Sequence, residues 1–262
     1  RQVTSKSAEE TRKTILAQRD KIDFVIVGGG DGTLSSTAHT LIETKLPLAI
    51  LPLGTANDLA RSLGIPEELE EAFAVIAGNV RTHIDVGLVN DQHYFNVAHM
   101  GLGVKVTQEL TPEVKKHWGV FSYLKAFFAA LARIRQFRVN LEVDGEKHSL
   151  RSIQLAVGNG RYYGGGNVID EQARMDDGLL SLYSLRPQRV WELLTLAPLL
   201  RDGKQRHDRR IYRVRGREIR IHTRPKGREI HADGDPVGRT PATFRILPGV
   251  IEVFVPPEYF HT

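Results

Sequence analysis

The sequence predicts an α/β unit with an open parallel sheet, followed by an all-β unit built as a sandwich. Two apolar runs, Ile22–Val27 and Leu48–Leu51, are separated by about twenty residues with helical periodicity, which is typical of a βαβ unit. After about residue 84 the pattern changes to many short runs separated by Asp-Gly, Asn-Gly and Pro-Gly turns. We therefore expect an α/β domain at 1–83 and a β-sandwich domain at 84–262.

The first apolar run is nearly continuous, as in a strand that is buried on both faces. Leu34, Ala38 and Leu41 then recur at helical spacing and predict the crossover helix. A further helix is predicted at Glu67–Ala77, where Gly78 is placed to end it.

Apolar and polar residues alternate through much of the second part, as they do in strands with one buried face. The predicted strands are Ile84–Val89, His93–Val97, Phe137–Val143, Ile153–Val157, Leu179–Leu185, Ile211–Ile221, Thr243–Leu247 and Ile251–Val255. Two helices are predicted to interrupt these strands, at Gly119–Ile134 and Arg189–Leu200.

Composition excludes several classes of protein. With 41% apolar residues among 262, the chain is neither disordered nor fibrous. It contains no cysteine, which removes disulfides, thiolate metal sites and cysteine nucleophiles, and we expect a cytoplasmic location. The longest apolar candidate, Trp118–Ile134, is too short and too charged to span a bilayer, and Arg1–Asp20 does not have the pattern of a signal peptide.

Positive charge is concentrated in one segment, residues 201–228, which we call the basic arm. It holds 12 Lys and Arg against 3 Asp and Glu, a local charge of +9, whereas the other residues hold 24 against 28. One interpretation is a solvated face of strands that alternate arginine with Ile or Val. The other is attraction to polyanions such as anionic lipid. The arm has no zinc-ligand or stacking-aromatic motif, so nucleic acid is not an expected partner.

Two glycine-bearing turns follow the two predicted parallel strands: the first turn, Gly28–Thr33, and the second turn, Pro52–Asp58. Open α/β sheets bind ligands at this edge, and glycine lets backbone N–H groups approach phosphate oxygens closely. The alternative is a pair of ordinary turns in which Thr55, Asn57 and Asp58 only cap a helix. Asp31 would repel a phosphate unless it holds Mg²⁺, a ribose hydroxyl or a backbone turn, so its presence indicates a specific site.

These turns are part of a longer set of motifs that resembles the catalytic domain of the diacylglycerol kinase superfamily, especially its bacterial soluble lipid-kinase branch. The motifs are Gly29-Gly30-Asp31-Gly32-Thr33, Pro52-Leu53-Gly54-Thr55-Ala56-Asn57-Asp58, Tyr163-Gly164-Gly165-Gly166, Ala173-Arg174-Met175-Asp176-Asp177-Gly178-Leu179-Leu180 and Asp233-Gly234-Asp235-Pro236. They occur in order along nearly the whole chain, so a chance match is improbable.

The resemblance implies an ATP-dependent lipid kinase that phosphorylates a hydroxyl of a diacylglycerol-like or related lipid. The implied fold is a nucleotide domain similar to that of NAD kinase and a lipid-binding sandwich, with the active site in the cleft between them. The implied nucleotide-binding residues are Gly29, Gly30, Asp31, Gly32, Thr33, Leu34, Ser35 and Thr55, with Asn57 and Asp58 supporting the second turn.

By the same resemblance, Asp177 binds a structural Mg²⁺ together with the main-chain carbonyls of Arg174 and Leu179, and a second Mg²⁺ travels with ATP. Asp233 is implied as the base that takes the proton of the lipid hydroxyl. Asp235 stands where the family has glutamate and assists, and the sequence leaves open which of the two acids is the base. An ordinary Asp-Gly hairpin turn is the alternative at this position.

The family normally opens with a strand and an Asn-Pro-x-Ser-Gly loop, and the 21 residues ahead of Ile22 lack that motif. This absence and the replacement at Asp235 leave open a catalytically idle lipid or nucleotide sensor. An NAD kinase-like enzyme also stays open, because it shares the first turn. For the lipid kinase we expect peripheral contact with the inner face of an anionic membrane through the basic arm. The oligomeric state is not determined by the sequence.

Overall fold

Helices and strands alternate through the first part of the chain in the computed structural model, which describes residues 2–101, 136–163, 167–168, 172–187 and 210–261. In chain order these elements are α1 (Ala8–Gln18), β1 (Val25–Gly29), α2 (Asp31–Thr44), β2 (Leu48–Pro52), α3 (Asp58–Ser62) and α4 (Leu69–Gly78). Strands β1 and β2 are parallel, with Val27 opposite Ile50. Helix α2 is thus the crossover of the predicted βαβ unit.

The spacing that predicted α2 also determines its buried face. Leu34, Ala38 and Leu41 are each at most 1% exposed and pack in one core. The helix ends at Lys45, whose left-handed backbone (φ 58°) lets its N–H donate to the Leu41 carbonyl at 2.8 Å. This packing holds the first turn at the carboxyl end of β1.

Fourteen further strands follow in the described part of the chain; β9 and β10 pair only with each other, and the others build most of the two large sheets. They are β3 (Arg81–Val89), β4 (Gln92–Tyr94), β5 (Val97–Gly101), β6 (Phe137–Val143), β7 (Glu146–Ser152), β8 (Gln154–Gly158), β9 (Tyr162–Tyr163), β10 (Asn167–Val168), β11 (Leu180–Leu185), β12 (Ile211–Gly216), β13 (Glu218–Arg224), β14 (Glu229–Ala232), β15 (Asp235–Arg239) and β16 (Ala242–Phe254). The first sheet has the order β1-β2-β16-β13-β6-β7, with β3 also paired to β16 and β4 to β3. The second sheet has the order β12-β11-β8-β5-β14-β15.

Strand β16 connects the two halves of the molecule. It was predicted as two strands, Thr243–Leu247 and Ile251–Val255, but it is one strand of 13 residues with a register shift between Leu247 and Ile251. Val253, near its end, pairs in parallel with Leu48 of β2, whereas its first residues pair with β13. The first sheet therefore continues from the α/β unit into the sandwich, and β3 crosses the expected boundary at residue 83, which stays a prediction.

Two hydrophobic cores lie on this framework. The first packs the helices against β1, β2 and the end of β16, and includes Leu34, Ile50 and Val253. The second lies between the two large sheets, and it includes Phe244 and Ile219 of the first sheet together with Leu155 and Leu182 of the second. The predicted fold class, an α/β unit followed by a β-sandwich, is confirmed.

The described part of the basic arm is divided between the two large sheets. Residues 201–209 of the arm lie outside the described residues, and the rest forms β12 in the second sheet and β13 in the first. The predicted helices Gly119–Ile134 and Arg189–Leu200, and the motif glycines 164–166, are also outside them. In the described part of the chain, no helix has the length and hydropathy that a bilayer crossing requires.

Candidate active site

The first turn places backbone N–H groups at the N-terminus of α2. Gly30 precedes the helix in an extended conformation, and no side chain caps the first turn of the helix. Leu34 N–H makes the first bond back to the Gly30 carbonyl, at 3.1 Å. The N–H groups ahead of Leu34 point away from the helix beside the exposed Gly32 and Thr33, which is the arrangement that binds anions.

The first and second turns touch each other backbone to backbone. A Cβ atom on Gly54 would lie 2.4 Å from the Cα atom of Gly30, a distance at which no other residue is accommodated. Asn57, with a left-handed backbone (φ 51°), accepts the Gly54 N–H at 2.9 Å and donates to the Gly54 carbonyl at 3.0 Å. Asn57 therefore fixes the shape of the second turn. This contact is of the kind that the predicted supporting role needs.

Asp31 joins the two turns through its carboxylate. Its Oδ2 accepts the backbone N–H of Asp58 at 3.1 Å, and its Oδ1 accepts the N–H of Leu59 at 3.0 Å. Oδ1 also accepts the side-chain amide of Asn96 at 3.1 Å. Of the three uses considered for this acid, the structure shows the backbone turn: Asp31 caps α3 and positions it against the first turn.

The other residues predicted for nucleotide binding fall into two groups. Thr33 and Thr55 are exposed at the turns, where a ligand can contact them. Leu34 is 1% exposed and packs in the first core, so its side chain does not face the site, and its N–H is used within α2. Sequence reasoning placed Leu34 in the site because it follows the motif, but helix periodicity turns this position inward.

Asp233 lies in a two-residue hairpin between β14 and β15. Ala232 pairs with Asp235, and both residues between them have positive φ (46° for Asp233 and 99° for Gly234), which matches the type I′ turn expected of Asp-Gly. The turn directs the Asp233 side chain into the molecule, toward the start of α2. The Oγ of Ser35, which is 198 residues away in the sequence, donates to Asp233 Oδ2 at 2.9 Å.

Three backbone groups also donate to the Asp233 carboxylate. Phe95 N–H donates to Oδ2 at 2.7 Å, and Asn96 and Val97 N–H donate to Oδ1 at 3.1 and 3.0 Å. With Ser35, these four donors occupy about the full acceptor capacity of a carboxylate. Burial nevertheless raises the pKa of Asp233 to about 6, although the N–H donors act in the opposite direction. At neutral pH this acid is ionised but close to its titration range.

The chain contains a second Asp-Gly hairpin that serves as an internal comparison. Asp144 and Gly145 have φ of 48° and 93°, and Asp144 accepts the backbone N–H groups of Arg217 and Glu218. Asp144 is exposed, whereas Asp233 is partly buried against α2 and β5. The two hairpin turns have the same conformation, so Asp233 differs from Asp144 only by its location in the fold. Asp235 is exposed at the first position of β15.

The residues expected to bind a structural Mg²⁺ do not fit that role in this arrangement. Asp177 accepts the N–H of Arg174 at 3.0 Å and the N–H of Leu179 at 2.9 Å, so N–H groups face it where carbonyls were expected. Its Oδ2 also forms an ion pair with the Arg215 guanidinium. Both carboxylate oxygens are thus satisfied by protein donors, and a cation would meet a guanidinium. The described residues contain no cluster of three or more His, Cys, Asp or Glu side chains suited to a metal.

Asn96 is a site residue that sequence reasoning missed. Its side-chain amide donates to Asp31 and its backbone N–H to Asp233, so one residue bridges the two acids. It is 3% exposed, and its own Oδ1 has no hydrogen-bond partner. The only local signal is a polar residue within an apolar stretch between two short strands, which does not indicate a site by itself.

Comparisons with known proteins agree with this geometry. Residues 2–89 match the family model "Diacylglycerol kinase catalytic domain", and residues 96–255 match "YegS C-terminal NAD kinase beta sandwich-like domain". The chain is 35% identical to a "Probable lipid kinase YegS-like" of Pseudomonas aeruginosa strain UCBPP-PA14 over 88% of this chain and 76% of the relative. It is 32% identical to "Probable lipid kinase YegS" of Salmonella arizonae over 98% of this chain and 86% of the relative.

A solved structure is also similar along nearly the whole chain. It is named "a putative diacylglycerol kinase" from Bacillus anthracis strain Sterne, and it superposes with a TM-score of 0.81 at 27% sequence identity. The match covers 97% of this chain and 84% of that one. The resemblance drawn from the motifs is therefore confirmed.

Proposed function

The chain belongs to the diacylglycerol kinase family, and from this we propose that it transfers the terminal phosphate of ATP to a hydroxyl group of a diacylglycerol-like lipid. The observation that carries the proposal is the contact between Ser35 and Asp233. It brings the acid of the late hairpin against the helix that begins at the first glycine turn.

ATP is proposed as the donor because the two turns offer what a polyphosphate needs. The uncapped N-terminus of α2 presents N–H groups and a partial positive charge, and Gly30 and Gly54 leave no side chain in the way. Asp31 and Asn57 hold this backbone in place. In phosphoryl transfer such positioning supplies much of the catalysis.

Asp233 is proposed as the base for the acceptor alcohol. Three of its four hydrogen bonds come from fixed backbone groups, so an incoming alcohol takes the place of the Ser35 hydroxyl on Oδ2. The alcohol proton then passes to Asp233 as the oxygen bonds to the terminal phosphorus and ADP leaves. A pKa of about 6 suits a base that works near neutral pH.

Mg²⁺ at Asp177 is not part of this proposal, because the donors around that carboxylate are N–H groups and a guanidinium. The lipid substrate resides in a membrane, and we include peripheral contact with an anionic membrane surface. The exposed Arg217, Arg224 and Lys226 of the basic arm support such contact, whereas Arg215 is paired with Asp177.

The experiment is an incubation of the protein with labelled ATP, Mg²⁺ and a total lipid extract, followed by identification of the labelled product. We expect a phosphorylated lipid, and we expect Asp233→Asn to lower turnover by about 10²–10⁴-fold while Asp235→Asn retains most of it. Asp144→Asn is the matched control, because it changes the same turn away from the site. In a parallel incubation with NAD in place of the lipid extract, label on NAD would identify an NAD kinase, and ATP binding without a labelled product in either incubation would identify a sensor.

A further inference from the structure

Three arginines lie side by side on the outer face of the first sheet. Arg138 of β6 is directly opposite Arg151 of β7 on one side and Arg224 of β13 on the other. We call these three residues the arginine row. Neighbouring strands are about 4.8 Å apart, so the row spans about 10 Å. All three side chains are exposed.

No carboxylate of the described residues neutralises the arginine row. Within the described residues, none of its three members has an ion pair or a side-chain hydrogen bond. Four residues along the strands on the same face, Arg220 pairs with Glu142 at 3.1 Å and with Glu218 at 2.7 Å. The sheet therefore neutralises arginine elsewhere on this face and leaves the row unneutralised.

Like charges directly opposite each other destabilise a sheet, because their side chains lie within about 5.5 Å at Cβ. The neighbouring residues along the strands do not offset this repulsion, because none of them carries a negative charge. They are Ser149, Asn140 and His222. An anion that contacts two or three guanidinium groups removes this repulsion. Arginine suits phosphate in particular, because its planar fork donates two parallel hydrogen bonds.

A pocket opens beside the row and provides space for more than a bare phosphate. It has a volume of about 400 Å³ and is lined by Arg151 together with Arg186, His148 and Tyr212. Binding cavities for small molecules begin at roughly 300 Å³. A phosphorylated headgroup of a few heavy atoms is of the right size and charge.

We propose that the arginine row and the pocket beside it form a binding surface for the phosphate groups of anionic phospholipids in a membrane. An exposed sheet face with three positive charges that have no carboxylate partner among the described residues complements the phosphodiesters of a membrane surface. The inference deepens the proposed function, since it names a surface by which a lipid kinase reaches its substrate. Only Arg224 belongs to the basic arm, so the surface differs from the one that the sequence predicted.

The test measures binding to vesicles without ATP, so that it does not depend on turnover. The variant is the triple substitution Arg138→Gln, Arg151→Gln and Arg224→Gln. The control is Arg12→Gln, Arg19→Gln and Arg239→Gln, which removes the same charge from exposed arginines that have carboxylate partners. Vesicles of phosphatidylcholine are compared with vesicles that also contain phosphatidylglycerol, at two salt concentrations.

We expect the parent protein to bind the anionic vesicles in a salt-sensitive manner. The row variant should bind about 100-fold more weakly, because each basic residue contributes roughly a factor of five to such partitioning. The control variant should bind within about threefold of the parent. Because the repulsion is relieved, the thermal midpoint of the row variant should equal or exceed that of the parent.

Equal loss of binding in both variants would overturn the proposal, because net charge alone would then explain the binding to vesicles. Competition by soluble glycerol phosphate would show a site for free phosphate, and binding of an RNA oligonucleotide that depends on the row would show a nucleic-acid surface. A parent protein that binds anionic vesicles through the row but phosphorylates no lipid would leave this inference standing and refute the proposed function alone.

Discussion

The substitution Asp31→Asn tests whether the Asp31 carboxylate positions the two turns or contacts the ligand directly. The parent side chain accepts three hydrogen bonds, from the N–H groups of Asp58 and Leu59 and from the Asn96 amide. Each hydrogen bond to a charged group contributes about 1.5–3 kcal/mol, and the partial exposure of Asp31 reduces that figure. Asparagine keeps one acceptor oxygen and turns its NH₂ group toward an N–H donor. We expect the free energy of unfolding to fall by about 2 kcal/mol.

The assay is urea unfolding followed by far-UV circular dichroism, together with calorimetric measurement of ATP affinity. The matched control is Asp144→Asn, whose parent carboxylate also accepts backbone N–H groups but lies in an exposed hairpin. We expect both variants to lose stability and only Asp31→Asn to lose ATP affinity, because only its hydrogen bonds join the two turns. If Asp31→Asn weakened ATP binding with unfolding unchanged within about 0.5 kcal/mol, direct ligand contact would replace positioning as the explanation.

Three further perturbations follow from the same geometry. Turnover should fall about tenfold per pH unit below about pH 6, because protonation of Asp233 removes the base, and Asp235→Asn should keep this acid limb. Gly54→Ala should destabilise the protein by more than about 2 kcal/mol in urea unfolding, since its Cβ meets backbone at 2.4 Å, whereas Gly32→Ala, with no atom within 4 Å, should not. Addition of EDTA should leave the thermal midpoint unchanged, because Asp177 is satisfied by protein donors.

For each of these three predictions, one result would contradict the reasoning. If the fall in turnover at low pH occurred at a different pH in Asp235→Asn, Asp235 would be the base instead of Asp233. Equal tolerance of alanine at Gly54 and Gly32 would mean that the two turns do not touch. A drop in the thermal midpoint with EDTA, restored by added Mg²⁺, would establish a metal site that the hydrogen bonds around Asp177 do not show.

The strand, turn and helix of the α/β unit could be predicted because each depends on residues close in sequence. The helical spacing of Leu34, Ala38 and Leu41 sets the inward face of α2 wherever the helix lies. Asp-Gly between two short strands predicts a tight hairpin in the same way, and the pairs that begin at Asp144 and Asp233 adopt it. The same local signals divided β16 into two predicted strands, because its register shift resembles a turn in sequence.

The family resemblance pointed to Asp233, but turn chemistry by itself could not determine which Asp-Gly aspartate belongs to the site. Asp144 and Asp233 have the same turn, but only Asp233 is packed against α2 and β5. Its raised pKa follows from burial, and burial is a property of the assembled sheets. Asn96 was missed for the same reason, since its two partners are distant in the chain.

The sequence by itself determined the βαβ order of the first unit, the two glycine turns and the family to which they point. The tertiary structure decided that Asp31 binds backbone, that N–H groups face Asp177, and that Arg138, Arg151 and Arg224 share one row. The physical reason is the distance along the chain over which each effect acts. Periodicity and turn chemistry act over a few residues, whereas hydrogen-bond partners, burial and charge neighbours are supplied by segments that meet only when the sheets assemble.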